Sequence, residues 1–206
     1  MVDDHRENPI TRRIAVAVGL LVFTVVLLRT AWVCDDAYIS FRTIDNFVLG
    51  YGLRWNVDER VWSFTNPLWV LVVSAVYVFT HEMYFTSIFL SIGLAIATLA
   101  ILDKGLSRSL AVTALIFGVF TFSKAFIDYS TSGLENVMTH LLLAMFLVIW
   151  LTGQMSHRRL FWLSLVASLA TLNRMDTILL LLPALAVAWW QVRSWSAVRT
   201  VLRGFL

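Results

Sequence analysis

Seven apolar runs of about 13 to 20 residues, set between short polar breaks, constrain this chain more than any other feature. They cover residues 14–33, 67–80, 84–102, 110–127, 137–152, 160–172 and 178–192. A membrane-spanning helix needs roughly 20 mostly apolar residues. With 59% hydrophobic and 14% charged residues, a 206-residue chain also carries more apolar surface than one soluble core can bury. Short alternating strands of the barrel type are not seen, so the spans are expected to be helical. The fold class expected is an all-α integral membrane protein with about six transmembrane helices and two external juxtamembrane helices.

The first run is long for the apolar part of a signal peptide, and no small-x-small cleavage pattern follows it. Trp32 and Val33 precede Cys34, where a lipoprotein cleavage site would need small residues. The run is therefore read as a retained anchor. Cys34 is the single cysteine, which excludes an intrachain disulfide; it is read as a buried, inert thiol. The net charge of +3 does not imply nucleic acid, because in a membrane protein the placement of charge matters more than its sum.

Placement follows from the bias of Lys and Arg toward the cytoplasmic face. Arg6, Arg12 and Arg13 put the N-terminal tail, residues 1–13, inside, so the first helix runs outward. The run 67–80 is short for a span and opens on Asn66-Pro67, a helix start. Read as a crossing, it would place Lys104 and Arg108 outside. Read as a surface helix, it leaves residues 34–83 as one external loop, and ten of the sixteen Lys and Arg residues then lie inside. Nine of the thirteen acids lie outside on that reading: Asp35, Asp36, Asp45, Asp58, Glu59, Glu82, Asp128, Glu135 and Asp176. Acids hardly set topology, so the surplus marks either a polar outer site or ordinary solvated loops. The expected location is the bacterial plasma membrane, multi-pass, with the N-terminus cytoplasmic and the site external.

Within the loop, Ile39, Phe41, Ile44, Phe47 and Val48 take the three- and four-residue steps of an amphipathic helix that stops at Gly50 and Gly52. Asp36 then falls at its start, where the helix dipole favours a carboxylate. No Walker loop, paired-cysteine zinc spacing, His-Glu-x-x-His or Gly-x-Ser-x-Gly is present. No cofactor is indicated and no metal ligand is assigned, although a divalent cation stays open. What remains is acids and bases converging from three loops: Asp35 with Asp36, Asp128 with Glu135, and Arg174 with Asp176. That composition suits an anionic, hydroxylated substrate. Tyr38, Tyr51, Trp55 and Trp62 suit sugar stacking or interface anchoring.

The stretches Asp35-Asp36-Ala37-Tyr38-Ile39-Ser40-Phe41-Arg42, Gly50-Tyr51-Gly52-Leu53-Arg54-Trp55-Asn56, Glu59-Arg60-Val61 and Thr65-Asn66-Pro67-Leu68-Trp69 together resemble the GT-C superfamily of polyprenyl-phosphate-sugar glycosyltransferases. Within it they look most like the terminal arabinofuranosyltransferase branch of mycobacterial and corynebacterial cell-wall enzymes. Ser132-Gly133-Leu134-Glu135 and Asn173-Arg174-Met175-Asp176 extend the likeness over most of the chain. The Asp-Asp motif is the specific part.

The resemblance implies a catalytic acid in the first external loop, carried here by Asp36 with Asp35 as the competing position, and a second acidic loop beside it. It implies a polyprenyl-phosphate sugar donor, a cell-envelope glycan acceptor and contact with membrane lipid. Arg42, Arg54, Arg60, Glu135, Arg174 and Asp176 are the substrate-binding candidates; Lys124 is a further candidate cation. Family members are usually much longer, so residues 1–206 are expected to be a single GT-C-like module, the N-terminal part of a longer enzyme. The competing hypothesis is a non-catalytic lipid-sugar-binding or transport module. Transport would place polar residues deep in several spans, whereas here the spans are nearly clean.

Overall fold

The computed structural model describes residues 9–59, 61 and 63–204, all helix and loop with no strand among them. Arg60 and Trp62, a candidate substrate ligand and a candidate stacking residue, lie outside the described residues. The helices are α1 (Pro9–Thr30), α2 (Ala37–Val48), α3 (Pro67–Thr80), α4 (Met83–Leu106), α5 (Leu110–Phe122), α6 (Lys124–Ser130), α7 (Asn136–Leu151), α8 (His157–Asn173) and α9 (Thr177–Gly204).

Length and composition make two of them, residues Ile10–Thr30 and Met83–Leu106, sufficient to cross a membrane, or three if α5 and α6 form one broken span. The expected unbroken run 110–127 is corrected here. It bends by 69° at Ser123, whose hydroxyl accepts from the Phe126 N–H and so opens a new helix in mid-run. Helix α9 also runs past the expected end at 192 to Gly204, with Pro183 inside it. Helix α3 matches its expected bounds. Pro67 occupies its first turn, and His81 takes a left-handed conformation (φ 50°) to end it.

Two sets of bonds define the ends of the bundle. At one end Arg12 of α1 pairs with Asp103 of α4 at 3.0 Å, and Thr113 of α5 donates to the same carboxylate at 2.7 Å. The last turns of α4 and α7 meet there too, since a Cβ on Gly105 would come within 2.5 Å of Val148. At the other end the exit of α1, the start of α3 and the α6–α7 loop are stitched together: Cys34 N–H donates to Ser132 O at 2.9 Å, and the Trp69 indole donates to Gly133 O at 2.9 Å. Counting from the Arg12–Asp103 pair at about 1.5 Å per residue, Thr30 and Phe85 lie about 18 residues, roughly 27 Å, further on. Residues 31–82 therefore leave and rejoin the bundle at the same end, and α3 does not carry the chain to the other.

The core between these ends is apolar and continuous, from Phe23 and Leu27 through Ile44, Trp69, Leu99 and Val137 to Leu163, all fully buried. Much apolar surface stays outside: Phe79 is 85% exposed, Phe122 89% and Leu179 76%. Exposed aromatic and aliphatic residues on this scale suit a lipid surround better than water.

Candidate functional site

The α6–α7 loop is the anchor of the polar end. Ser130, Thr131, Ser132 and Gly133 are buried, and Gly133 has φ +79°, a conformation that L side chains rarely adopt. A Cβ there would meet Ala37 at 2.8 Å and Phe41 and Val33 at 3.1 Å, so only glycine lets α2 close over the loop. This packing holds the loop leading to Glu135 against the Asp-Asp segment.

Glu135 is the half-buried carboxylate of the set, with 16% of its side chain exposed. Asn66 Nδ2 donates to its Oε2 at 2.8 Å, and Arg174 Nη1 lies 3.8 Å from its Oε1. Asn173 Nδ2 donates to the Glu135 carbonyl at 3.0 Å and to Thr139 Oγ1 at 2.9 Å. Asn66 and Asn173 are both buried, and each leaves its side-chain carbonyl without a partner. These two asparagines were not among the expected site residues. Their signal in the sequence is their position within the Thr-Asn-Pro and Asn-Arg-Met-Asp stretches.

Arg174 joins the second and third loops. Its Nε donates to Asp176 at 2.9 and 3.1 Å and its Nη1 to Asn136 Oδ1 at 3.1 Å. The hydrogen bond to Asp176 pushes the guanidinium above its ordinary range against the opposing effect of partial burial, so its charge is permanent. Asp128 is engaged with Lys124 through an i,i+4 ion pair, and its carbonyl accepts from the Trp32 indole.

Asp35 and Asp36 are both exposed but differ in commitment. Asp35 Oδ1 accepts from the Cys34 thiol at 3.2 Å and from the Asp36 N–H at 3.1 Å. Those two donors, the thiol first, hold the Asp35 carboxyl below the usual carboxylate range. Asp36 stands at the start of α2 in helical conformation (φ −59°, ψ −27°) and makes no capping bond. Among the described residues its carboxylate has no hydrogen-bond partner, and neither aspartate bonds directly to Glu135, Arg174 or Asp176.

Cys34 corrects the expectation of a buried thiol. It is half-buried and donates to Asp35. The Asp36 N–H pulls its pKa down, but the bond to Asp35, partial burial and the two carboxylate charges outweigh it and hold the thiol above its ordinary range. Cys34, Asp35 and Asp36 bring three potential ligand atoms within 4.8 Å of one another. The two carboxylates suit a hard divalent cation and the protonated thiol does not, so any such ion would rest on the oxygens alone.

Arg42 and Arg54 make no bond to these acids among the described residues. Arg42 donates to Trp55 O at 3.0 Å and Asn56 Oδ1 at 3.1 Å, with its guanidinium 4.8 Å from the Trp55 ring. Arg54 donates to Val57 O at 3.2 Å. Both guanidiniums are bonded into the 50–57 loop. Two other acids of residues 34–83 likewise have structural work: Asp45 accepts from Tyr77 at 2.7 Å, and Glu82 caps α4 through the Tyr84 and Phe85 N–H groups.

A cleft of about 780 Å³ opens beside Arg174 and Asp176, between the start of α3 and helices α8 and α9. Pro67, Ala167, Leu172, Met175, Ile178 and Leu185 line it, with the hydroxyl residues Thr65, Ser164, Ser168 and Thr171 among them. Ser168 and Thr171 donate back to their own helix, to Ser164 O and Ala167 O, so the wall is mostly apolar.

No protein-family model matches the chain. No solved structure matches it either. Among curated proteins, it is similar to the terminal beta-(1->2)-arabinofuranosyltransferase of Corynebacterium glutamicum, at 28% identity over 149 residues. The match covers 68% of this chain but 21% of that protein, so the chain spans about a fifth of the length of the relative it matches. The likeness is to a glycosyltransferase.

Proposed function

We propose that this chain is a GT-C-like membrane module of a glycosyltransferase that moves a sugar, arabinofuranose being the first candidate, from a polyprenyl-phosphate donor to a cell-envelope glycan or glycolipid on the outer face. The observation that carries the proposal is the convergence of three sequence-distant polar loops on one end: Asp35–Asp36, Glu135 and Arg174–Asp176, tied through Ser132, Gly133 and Asn66. The apolar cleft beside Arg174 supports a lipid-borne donor, with the tail against α8 and α9 and the phosphate near a permanent cation. The likeness to an arabinofuranosyltransferase supports the pentose.

In this reaction the acceptor hydroxyl attacks the anomeric carbon and passes its proton to a carboxylate. The anomeric C–O bond to phosphate breaks, and its electron pair leaves with the polyprenyl phosphate. Asp36 is assigned as base because its carboxylate is exposed and uncommitted, whereas a carboxylate held below its usual range, as Asp35 is, makes a poorer base. Arg174 steadies the leaving phosphate, with Glu135 and Asp176 fixing its orientation. Arg42 and Arg54 shape the external loop over the site rather than gripping phosphate. Six crossings follow if α7, α8 and α9 each span beside α4; the return of residues 31–82 to their starting end supports the external placement of residues 34–83.

The test is transfer by membranes carrying the full chain, given a polyprenyl-phosphate pentose donor. Asp36→Asn is nearly isosteric and should lower the rate by about 10²–10⁴ while donor binding persists. Asp35→Asn should cost less. Loss in Asp35→Asn with turnover retained in Asp36→Asn would move the role to Asp35, and full activity in both single variants and the double would remove the loop from the chemistry.

A further inference from the structure

At the end of the bundle remote from the acidic loops, the last turn of α7 and the first turns of α8 enclose a cavity of about 390 Å³. Val148, Ile149 and Trp162 supply its apolar lining and Arg158 and Arg159 its cations, with Thr152, Gln154 and Ser156 as uncharged polar groups.

The arginines are placed without carboxylate partners. Arg12, Lys124 and Arg174 each pair with an acid, but among the described residues no acid pairs with Arg158 or Arg159. Arg159 donates to Gln154 O at 3.2 Å and turns the edge of its guanidinium toward Gly153 (φ +82°), where a Cβ would fall 2.9 Å from both terminal nitrogens. The guanidinium is thus held at the cavity by a glycine that leaves it room. Cations here also oppose the dipole of α8, whose first turn carries no acid, so the arrangement gains from an anion. Beside the cavity, Phe161 and Trp162 are 60% and 45% exposed on α8, which asks for an apolar continuation of whatever the arginines hold.

We infer that this cavity binds the phosphodiester headgroup of an anionic membrane phospholipid, with Arg158 and Arg159 on the phosphate, Trp162 at the headgroup boundary and the acyl chains along α8. The inference rests on α7 and α8 being membrane helices and is independent of the transferase reading. Bidentate guanidinium geometry suits phosphate, and a basic pocket between helix ends at a membrane face is the physical form of such a site. The apolar wall favours a lipid over free phosphate.

The experiment uses the full chain in phosphatidylcholine nanodiscs titrated with fluorescent phosphatidylglycerol. At the energy typical of one basic residue near an anionic headgroup, Arg158→Gln should weaken retention roughly fivefold and the Arg158→Gln, Arg159→Gln pair about 25-fold. Arg108→Gln, an exposed base at the same end outside the cavity, should change nothing. Arg158→Gln alone carries the test if the pair fails to fold, because Arg158 is exposed and makes no bond among the described residues. Unchanged retention in Arg158→Gln overturns the inference, as does an equal loss in Arg108→Gln, which would show only a general surface field. Displacement of the lipid by millimolar inorganic phosphate would identify a soluble-anion site instead and overturn it too.

Discussion

The two ends of this bundle use charge in opposite ways. At the α4–α5 turn, Asp103 is 5% exposed, and its two oxygens are taken by Arg12 and by Thr113, which is itself bonded to Ser107 at 2.7 Å. At the α6–α7 loop, Glu135 and Asp176 share Arg174, which is 45% exposed, and the Asp36 carboxylate has no hydrogen-bond partner among the described residues. A charge whose bonding capacity is filled inside the fold can hold helices together but cannot serve a ligand. One that keeps lone pairs or donors open can, and its cost to stability is the sign of that use.

The sharpest way to break this comparison is at its two arginines. Arg174→Gln should lower transfer by about 10²–10³, the range for loss of one donor to a developing anion, with little change in unfolding temperature. Arg174 is half-exposed, so its ion pairs contribute little to stability. A large stability loss with transfer intact would make Arg174 a structural latch like Arg12.

The converse change is Asp103→Ala. It removes the partner of Arg12 and the acceptor of Thr113 at a buried position, leaving polar groups unsatisfied at a cost of about 1–3 kcal/mol. Chemical unfolding in detergent should show that loss, and transfer per folded molecule should stay near wild type. If instead turnover falls with stability unchanged, the far end reaches the chemistry and the division between the ends fails.

Particular residues explain what was legible in the sequence. Helix α3 could be bounded because Pro67 can start a helix and the polar pair His81-Glu82 ends the apolar run. The break at Ser123 could not, since a serine hydroxyl that caps a new helix looks the same as one that bonds back into an old one. Nothing between residues 192 and 204 breaks a helix, so hydropathy ended α9 where the backbone did not. In the site, the acids stood out because charge at a membrane edge is costly. Asn66 and Asn173 did not, because an isolated asparagine usually signals a cap or turn, and only burial against Glu135 reveals the other use. The bonds of Arg42 and Arg54 to loop carbonyls were equally illegible, because a loop arginine bonded to backbone carbonyls has the same sequence appearance as one awaiting a phosphate.

The smallest effect separates the two neighbouring aspartates. The first cause of the lowered Asp35 pKa is the Cys34 thiol, followed by the Asp36 N–H. Cys34→Ala removes the thiol, so the Asp35 pKa should rise toward the ordinary carboxylate range. For an acid with a depressed pKa, the stabilising interaction is fully present above the unfolded value and is lost as pH falls through the folded one, so the affected window lies at and below the usual carboxylate range. Asp35 is fully exposed, which makes the rate profile rather than stability the informative readout. The Cys34 thiol bonds to Asp35 and not to the Asp36 carboxylate. With Asp36 as base, the acid limb of transfer in Cys34→Ala should stay where it is in the wild type, and the rate at neutral pH should be unchanged. With Asp35 as base, the same substitution should carry that limb to higher pH. A moved limb would therefore reassign the proton transfer to Asp35 and leave Asp36 as the start of α2 alone.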